Sequence, residues 1–192
     1  SWYDGLQTKV EKRYSGLVMQ VNYTWSKSLS DGSYTQTAFQ EENQDSYNRG
    51  KAEKDLLRYD IPHTLNVLWS YDLPFGRGQK FLSHSPRPVR ALVGGWTLNW
   101  AGQYRSGNLI LLSAPNTLGA GVLFTNFKKA NTTGQPFETG LDRSNYDPRD
   151  PNNRQVYNRS AFEIPGQFEF GSASRYFNNF RQPPVYNENV SI

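Results

Sequence analysis

The side chains that most often carry chemistry are few in this chain and badly spaced for it. His63 and His84 are the only histidines, and there is no cysteine. That leaves no thiolate nucleophile, no disulfide framework and no Cys-based zinc site. His63 follows Pro62, and His84 lies in a basic stretch, so the pair reads as scattered interfacial side chains and not as metal ligands. The segment DRSNYDPRDPNN crowds Asp142, Asn145, Asp147, Asp150, Asn152 and Asn153 together. Hard oxygen ligands of this kind suit Ca²⁺, but the spacing matches no EF-hand, and Asx turns explain the composition equally well. Glu41 and Glu42 are adjacent, so they do not flank one substrate as acid and base. The glycines of PFGRGQK lack the helix and spacing of a phosphate loop, and no G-x-S-x-G elbow accompanies the serines. No catalytic, cofactor-binding or metal residue is assigned, and an enzyme is not expected.

What the chain does carry is position. Four long segments alternate between apolar and polar side chains, the period of a β-strand. In YDGLQTKVEKR, Leu6, Thr8 and Val10 oppose Gln7, Lys9 and Glu11. After the short turn YSG, LVMQVNYTWSKSL sets Leu17, Met19, Val21, Tyr23 and Trp25 against the almost wholly polar set Val18, Gln20, Asn22, Thr24 and Ser26. IPHTLNVLWSYDL sets His63, Leu65, Val67, Trp69, Tyr71 and Leu73 against Thr64, Asn66, Ser70 and Asp72, with Leu68 breaking the rule. GWTLNWAGQYRSG sets Trp96, Leu98, Trp100, Gly102 and Tyr104 against Thr97, Asn99, Ala101 and Gln103. Strands are expected near 3–14, 17–28, 61–73, 94–106 and 185–192, paired antiparallel as a meander.

These segments run roughly 9 to 13 residues, against about 5 to 6 for a soluble strand. A tilted strand needs about 9 to 11 residues to cross a bilayer. Aromatic rings crowd the ends of the apolar rows, as in the girdles of outer-membrane barrels. Mean hydropathy is −0.76, and no run is long and apolar enough for a transmembrane helix. Barrels look equally polar on average, since only half of each strand meets lipid. An aromatic content of 15% speaks against disorder.

The net charge is +4. GRGQKFLSHSPRPVRALVGG holds Arg77, Lys80, Arg87 and Arg90 with no acid, and these four match the whole excess. No nucleic-acid-binding module surrounds them, so nucleic acid is not an expected partner and the stretch reads as a solvated basic turn.

Connections alternate in length: short at 15–16, long and polar at 27–59, medium at 74–94, and some 75 residues without sustained alternation after Gly107. Barrels place short turns in the periplasm and long loops outside, which puts 15–16 and 74–94 inside and 27–59 and 107–184 outside. The apolar row then faces lipid: Leu17, Met19, Val21, Tyr23, Trp25, Leu65, Val67, Trp69, Trp96, Leu98 and Trp100. The polar row faces the lumen: Gln20, Asn22, Thr24, Asn66, Ser70, Asn99 and Gln103.

Several phrases resemble one family. YDGLQTKVEKRYSGLVMQVNYTWSKSLSD resembles the recurrent barrel hairpin of TonB-dependent outer-membrane receptors of the Oar-like group. RYDIPHTLNVLWSYDLPFGRGQKFL and LVGGWTLNWAGQYRSG resemble the elements that follow it, and YNRSAFEIPGQFEFGSASRYFNNFRQPPVYNENVSI a late outer segment leading into another strand. The resemblance implies a barrel of about 22 strands around a plug. It also implies energised passage of a large ligand across the outer membrane, and TonB engaged through an N-terminal region. Residue 1 falls just before a strand pattern with no secretory signal ahead of it, and no TonB box, plug or terminal aromatic strand is recognised. The expectation is thus a late barrel segment of a mature or cut product, all-β, whose partners are outer-membrane lipid and the remaining strands and plug of the parent chain. The alternatives are a secreted β-sandwich carbohydrate-binding module, or a complete small barrel using SYTQTAFQ, NLILLS, GVLFTNF and QVYNRSAFEI as extra strands.

Overall fold

A computed structural model of the chain describes residues 1–31, 34–35, 40–41, 45, 54–76, 78–83, 86–115, 128–140, 149 and 157–192. In chain order the strands are β1 (Trp2–Tyr14), β2 (Leu17–Ser30), β3 (Tyr34–Thr35), β4 (Gln40–Glu41), β5 (Asp55–Leu56), β6 (His63–Asp72), β7 (Thr97–Arg105), β8 (Asn131–Thr132), β9 (Phe162–Glu163) and β10 (Val185–Ser191). Among the described residues a helix, α1 (Arg87–Val93), lies between β6 and β7, and a 3₁₀ turn spans Arg159–Ala161. The five long strands bond in the order β1-β2-β6-β7-β10. This is the all-β antiparallel meander that the alternation implies.

The described residues fall into two compact units. A sheet unit holds Trp2–Ser28, Tyr59–Leu109 and Arg181–Ile192. A loop unit holds Leu29–Arg58 and Ile110–Phe180, with Ser1.

In the sheet unit, β1 and β2 join through two residues, Ser15 at φ 43° and Gly16 at φ 83°. Both sit in the left-handed region that a two-residue hairpin of matching twist requires, and glycine enters it without a Cβ clash. The turn is tied to its neighbour strand by Asp72 N–H donating to Gly16 O at 2.9 Å. Pro62, which has no N–H to offer, stops β6 from starting earlier. Its carbonyl still accepts from Ser26 N at 3.0 Å, so pairing with β2 continues past the strand's formal end.

Two features depart from the sequence reading. The 74–94 connection carries α1, because the short run after Pro86 has helix-compatible residues and Gly95 at φ 83° to end it. Its few residues were too short a window for a helical period to show. β2 also runs to Ser30, into the expected outer loop, because Leu29 and Ser30 find partners in Leu56 and Asp55 of β5.

The described residues of the loop unit hold little sheet. Their two-stranded ribbons are β3–β4 and β8–β9. Phe137, Phe162 and Phe177 cluster, with ring centroids 4.4 to 5.9 Å apart, and Tyr157 meets Phe180 edge-on at 4.2 Å. Ala161, Ala173 and Tyr176 are buried. Arg175 is buried too, its Nη2 donating to Ser30 O at 3.0 Å and its backbone N–H to Asp55 Oδ2 at 2.6 Å. Of the extra strands that a small complete barrel would need, 108–113 forms only an isolated bridge between Leu109 and Arg181, and 121–127 lies outside the described residues.

Candidate functional site

The two faces of the sheet are where function must reside, and the register decides what each presents. Residues paired across an antiparallel ladder point to the same side. Leu17 pairs with Tyr71, which pairs with Leu98; Met19 with Trp69, then Trp100, then Val190. Val21 pairs with Val67, then Gly102; Tyr23 with Leu65, then Tyr104, then Tyr186; Trp25 with His63. Ten of the eleven residues assigned to lipid therefore share one face of one sheet. Trp96, the eleventh, stands just before β7, half exposed, its indole N–H donating to Leu92 O at 2.7 Å.

The polar set falls in register just as closely. Asn22, Asn66, Gln103 and Asn187 form one row across four strands, and Gln103 Nε2 donates to Asn66 Oδ1 at 3.2 Å. Thr24 pairs with Thr64, Ser70 with Asn99, and Asn99 with Ser191. Gln20 pairs with Leu68, which explains the odd residue: Leu68 meets Ala101 in an otherwise amide-lined surface. Two shallow grooves of about 360 and 350 Å³ run along this face, one lined by Val18, Leu68 and Ala101 together with Gln20, Ser70 and Asn99, the other by Asn22, Asn66, Gln103 and Asn187 with Leu68 and Ala101.

Neither face has a core. Every residue of β1 and of β10 is exposed, and Trp25 is 56% exposed at the end of the apolar row of β2. The apolar face carries a chain of rings, Trp69 to Trp100 at 6.3 Å, Trp100 to Tyr104 at 6.5 Å and Tyr104 to Tyr186 at 5.8 Å. Gly102 lies beneath this chain. A Cβ there would collide with the Trp100 indole and press on Tyr104, so the glycine gives the rings room to lie across the strand. In a sandwich this face would be covered by a second sheet; within the sheet unit, among the described residues, none is present.

Some features were not legible in the sequence. Asp60, 1% exposed, accepts from Arg181 Nη2 at 2.6 Å and from Ser28 N–H at 2.7 Å, and Arg181 Nη1 also donates to Asp60 O at 2.7 Å and Gly107 O at 3.3 Å. This clamp joins the ends of β2, β6, β7 and β10. No local motif announces it, because Asp60 and Arg181 lie 121 positions apart. Glu188 is a second surprise. Its register partner is Gly102, which places a carboxylate on the apolar face, and the Tyr104 hydroxyl donates to it. His63 Nδ1 lies 2.8 Å from Tyr23 Oη, a local pair at the strand mouth. Among the described residues no group of three His, Asp or Glu could hold a metal ion; His84, Glu42 and the Asp/Asn run at 142–153 lie outside them, apart from Arg149.

The whole chain, residues 1–192, matches the family model of an outer membrane β-barrel domain. The chain belongs to that family. No curated protein and no solved structure matches it. Membership decides the question the bare faces pose: long strands with two faces and no core belong to a barrel of the bacterial outer membrane, where lipid covers what water cannot. That no helix of the described residues is long and apolar enough to cross a membrane is no objection, since an outer membrane β-barrel domain crosses with strands.

Proposed function

We propose that these strands are a stretch of the wall of a large TonB-dependent receptor barrel, which passes a ligand too big for an open pore. The observation that carries the reading is the two-faced register: an aromatic-rich row and an amide-rich row, each continuous from β2 to β7. The first suits lipid, with Leu17, Met19, Val21, Leu65, Val67 and Leu98 in the hydrocarbon and the rings toward its boundaries. The second suits a lumen filled by a plug. The outer edges of β1 and β10 bear unpaired backbone groups that a bilayer core does not tolerate, so further strands must cover them. The length of the connections and the resemblance to the Oar-like group favour a plugged receptor over a simple porin, with the long connections outside.

Planar-bilayer recording separates the two. The complete polypeptide, extracted from outer membranes, should give no steady conductance until urea loosens the plug. Steady conductance without denaturant would mean an open pore and end the receptor reading. Recovery of TonB with the cross-linked native protein is the second expected result.

A further inference from the structure

We propose that the connection between β6 and β7 is an anchor for anionic phospholipid headgroups, those whose phosphate has no cation of its own, in the membrane's inner leaflet. The inference rests on the receptor reading only for its sidedness, with residues 74–94 toward the periplasm.

Three observations converge on this segment. First, it is a built structure rather than a loose turn. Leu73 N–H donates to Trp96 O at 2.9 Å and closes its base, Phe81 N–H donates to Pro74 O and Gly76 N–H to Phe81 O, both at 3.0 Å, and the Phe75 and Phe81 rings meet at 5.9 Å. The Trp96 indole holds the end of α1 through Leu92 O, so the helix is fixed to the start of β7. Second, its apolar side chains are turned outward. Leu92 is 74% exposed, and Phe81, Leu82 and Trp96 are close to half exposed. Water alone gives no reason for such a cluster, whereas rings and leucines at a bilayer boundary gain from the acyl edge. Third, the charge is of one sign. From Leu73 to Trp96 the sequence has no acid; Lys80 and Arg87 are exposed, Lys80 with its Nζ 5.5 Å from the Phe81 ring centre and Arg87 at the start of α1.

The occupant follows from continuity and charge. The apolar row of Leu98 and Trp100 runs straight into Trp96, so the cluster continues the surface that meets lipid. At that depth the bilayer offers phosphates. Long cationic side chains reach them while their stems lie on apolar neighbours. A soluble acidic protein would match the charge but not the exposed rings and leucines; a zwitterionic bilayer would match the rings but holds each phosphate beside its own choline cation.

The test uses the complete polypeptide in nanodiscs. This chain has no cysteine, so Leu92→Cys places a nitroxide label that is unique within it. Power saturation compares collisions with oxygen and with a water-soluble nickel chelate in discs of phosphatidylcholine alone or with phosphatidylglycerol added. The expected result is shielding from the chelate in the phosphatidylglycerol discs, reversed several-fold by Lys80→Glu with Arg87→Glu. If that pair fails to give the heat-resistant folded form, Lys80→Gln with Arg87→Gln removes the charge without reversing it. Equal shielding in both discs, or shielding by inorganic phosphate added to phosphatidylcholine discs, would overturn the headgroup assignment. An impermeant maleimide should label Leu92→Cys only after the outer membrane is opened. Labelling of intact cells would overturn the inner-leaflet assignment together with the receptor's topology. Chelate access in phosphatidylglycerol discs with protection on intact cells would overturn the anchor and leave the topology standing.

Discussion

The sheet unit and the loop unit solve the same problem in opposite ways. Both contain many aromatic residues. In the loop unit Phe137, Phe162 and Phe177 pack on one another, and Tyr176 is 2% exposed, as expected of a unit that must make its own core against water. In the sheet unit Trp25, Tyr186 and Val190 are more than half exposed, and what holds the strands is the backbone ladder with the buried Asp60–Arg181 pair. The difference shows that exposure of an apolar residue is informative only once the solvent is known. The same rings that would be an aggregation hazard in water would be a contact surface if, as proposed, they face lipid.

The largest expected effect tests what holds the sheet. The Asp60–Arg181 side chains are only 2% and 10% exposed, and removing one partner leaves the other a buried charge without its counter-ion. Asp60→Ala in the complete barrel should cost about 3 to 5 kcal/mol in urea unfolding. Removal of both charges, with Arg181→Met, should cost less than the sum of the two single changes. Additive costs would mean that the pair is not a clamp. Next comes the assignment of faces. Val21→Arg should destabilise by about 2 to 4 kcal/mol if it meets lipid near mid-depth, while Asn22→Arg, one position on, should cost much less. The reverse order would mean that the faces are exchanged.

How much of this was legible depended on period. Residues 17–25, 63–71 and 98–104 alternate with few exceptions, Val18 and Leu68 among them, and one slip of register would move every side chain to the other face. Their pairing could therefore be read before any coordinates. Glu188 could not, because β10 reads V-Y-N-E-N-V-S with polar residues in both sets, and only its pairing with Gly102 reveals which side it takes. The Asp60–Arg181 clamp and the Phe137–Phe162–Phe177 cluster join positions far apart in sequence, with no periodicity to connect them. Helix α1 has only 7 residues, too few turns for a helical pattern to emerge from its basic stretch.

A smaller effect sharpens the contrast between the units. Phe162→Ala removes one ring from the loop unit's cluster, where Phe162 is part-buried and its centroid lies 5.1 Å from Phe137. A partly buried ring contributes less than the full core value, so a local loss of about 1 to 3 kcal/mol is expected. Hydrogen exchange should quicken around residues 130–137 and 160–177 while the amides of β2, β6 and β7 stay protected. If the long strands lost protection as well, the two units would unfold together, and the division between them would carry no energetic meaning.

The smallest effect concerns the amide row. Gln103 Nε2 and Asn66 Oδ1 are 3.2 Å apart on an exposed surface, and an exposed neutral hydrogen bond contributes about 0.5 to 1.5 kcal/mol at most. Gln103→Leu should therefore leave stability almost unchanged. If the face borders a wet, plugged lumen, the variant should unfold within about 1 kcal/mol of the parent. On the opposite face the same logic runs the other way. Leu98→Gln, at a position that the register sets beside Tyr71, exchanges an apolar side chain for an amide that lipid cannot hydrogen-bond, at a cost of about 2 kcal/mol or more. A measurable gain in stability from Gln103→Leu, with no loss from Leu98→Gln, would show that the amide row meets hydrocarbon and the aromatic row meets water. That outcome would invert the sheet while leaving its strands and register untouched, because the ladder fixes which residues stand together and only the surrounding medium fixes which side each row serves.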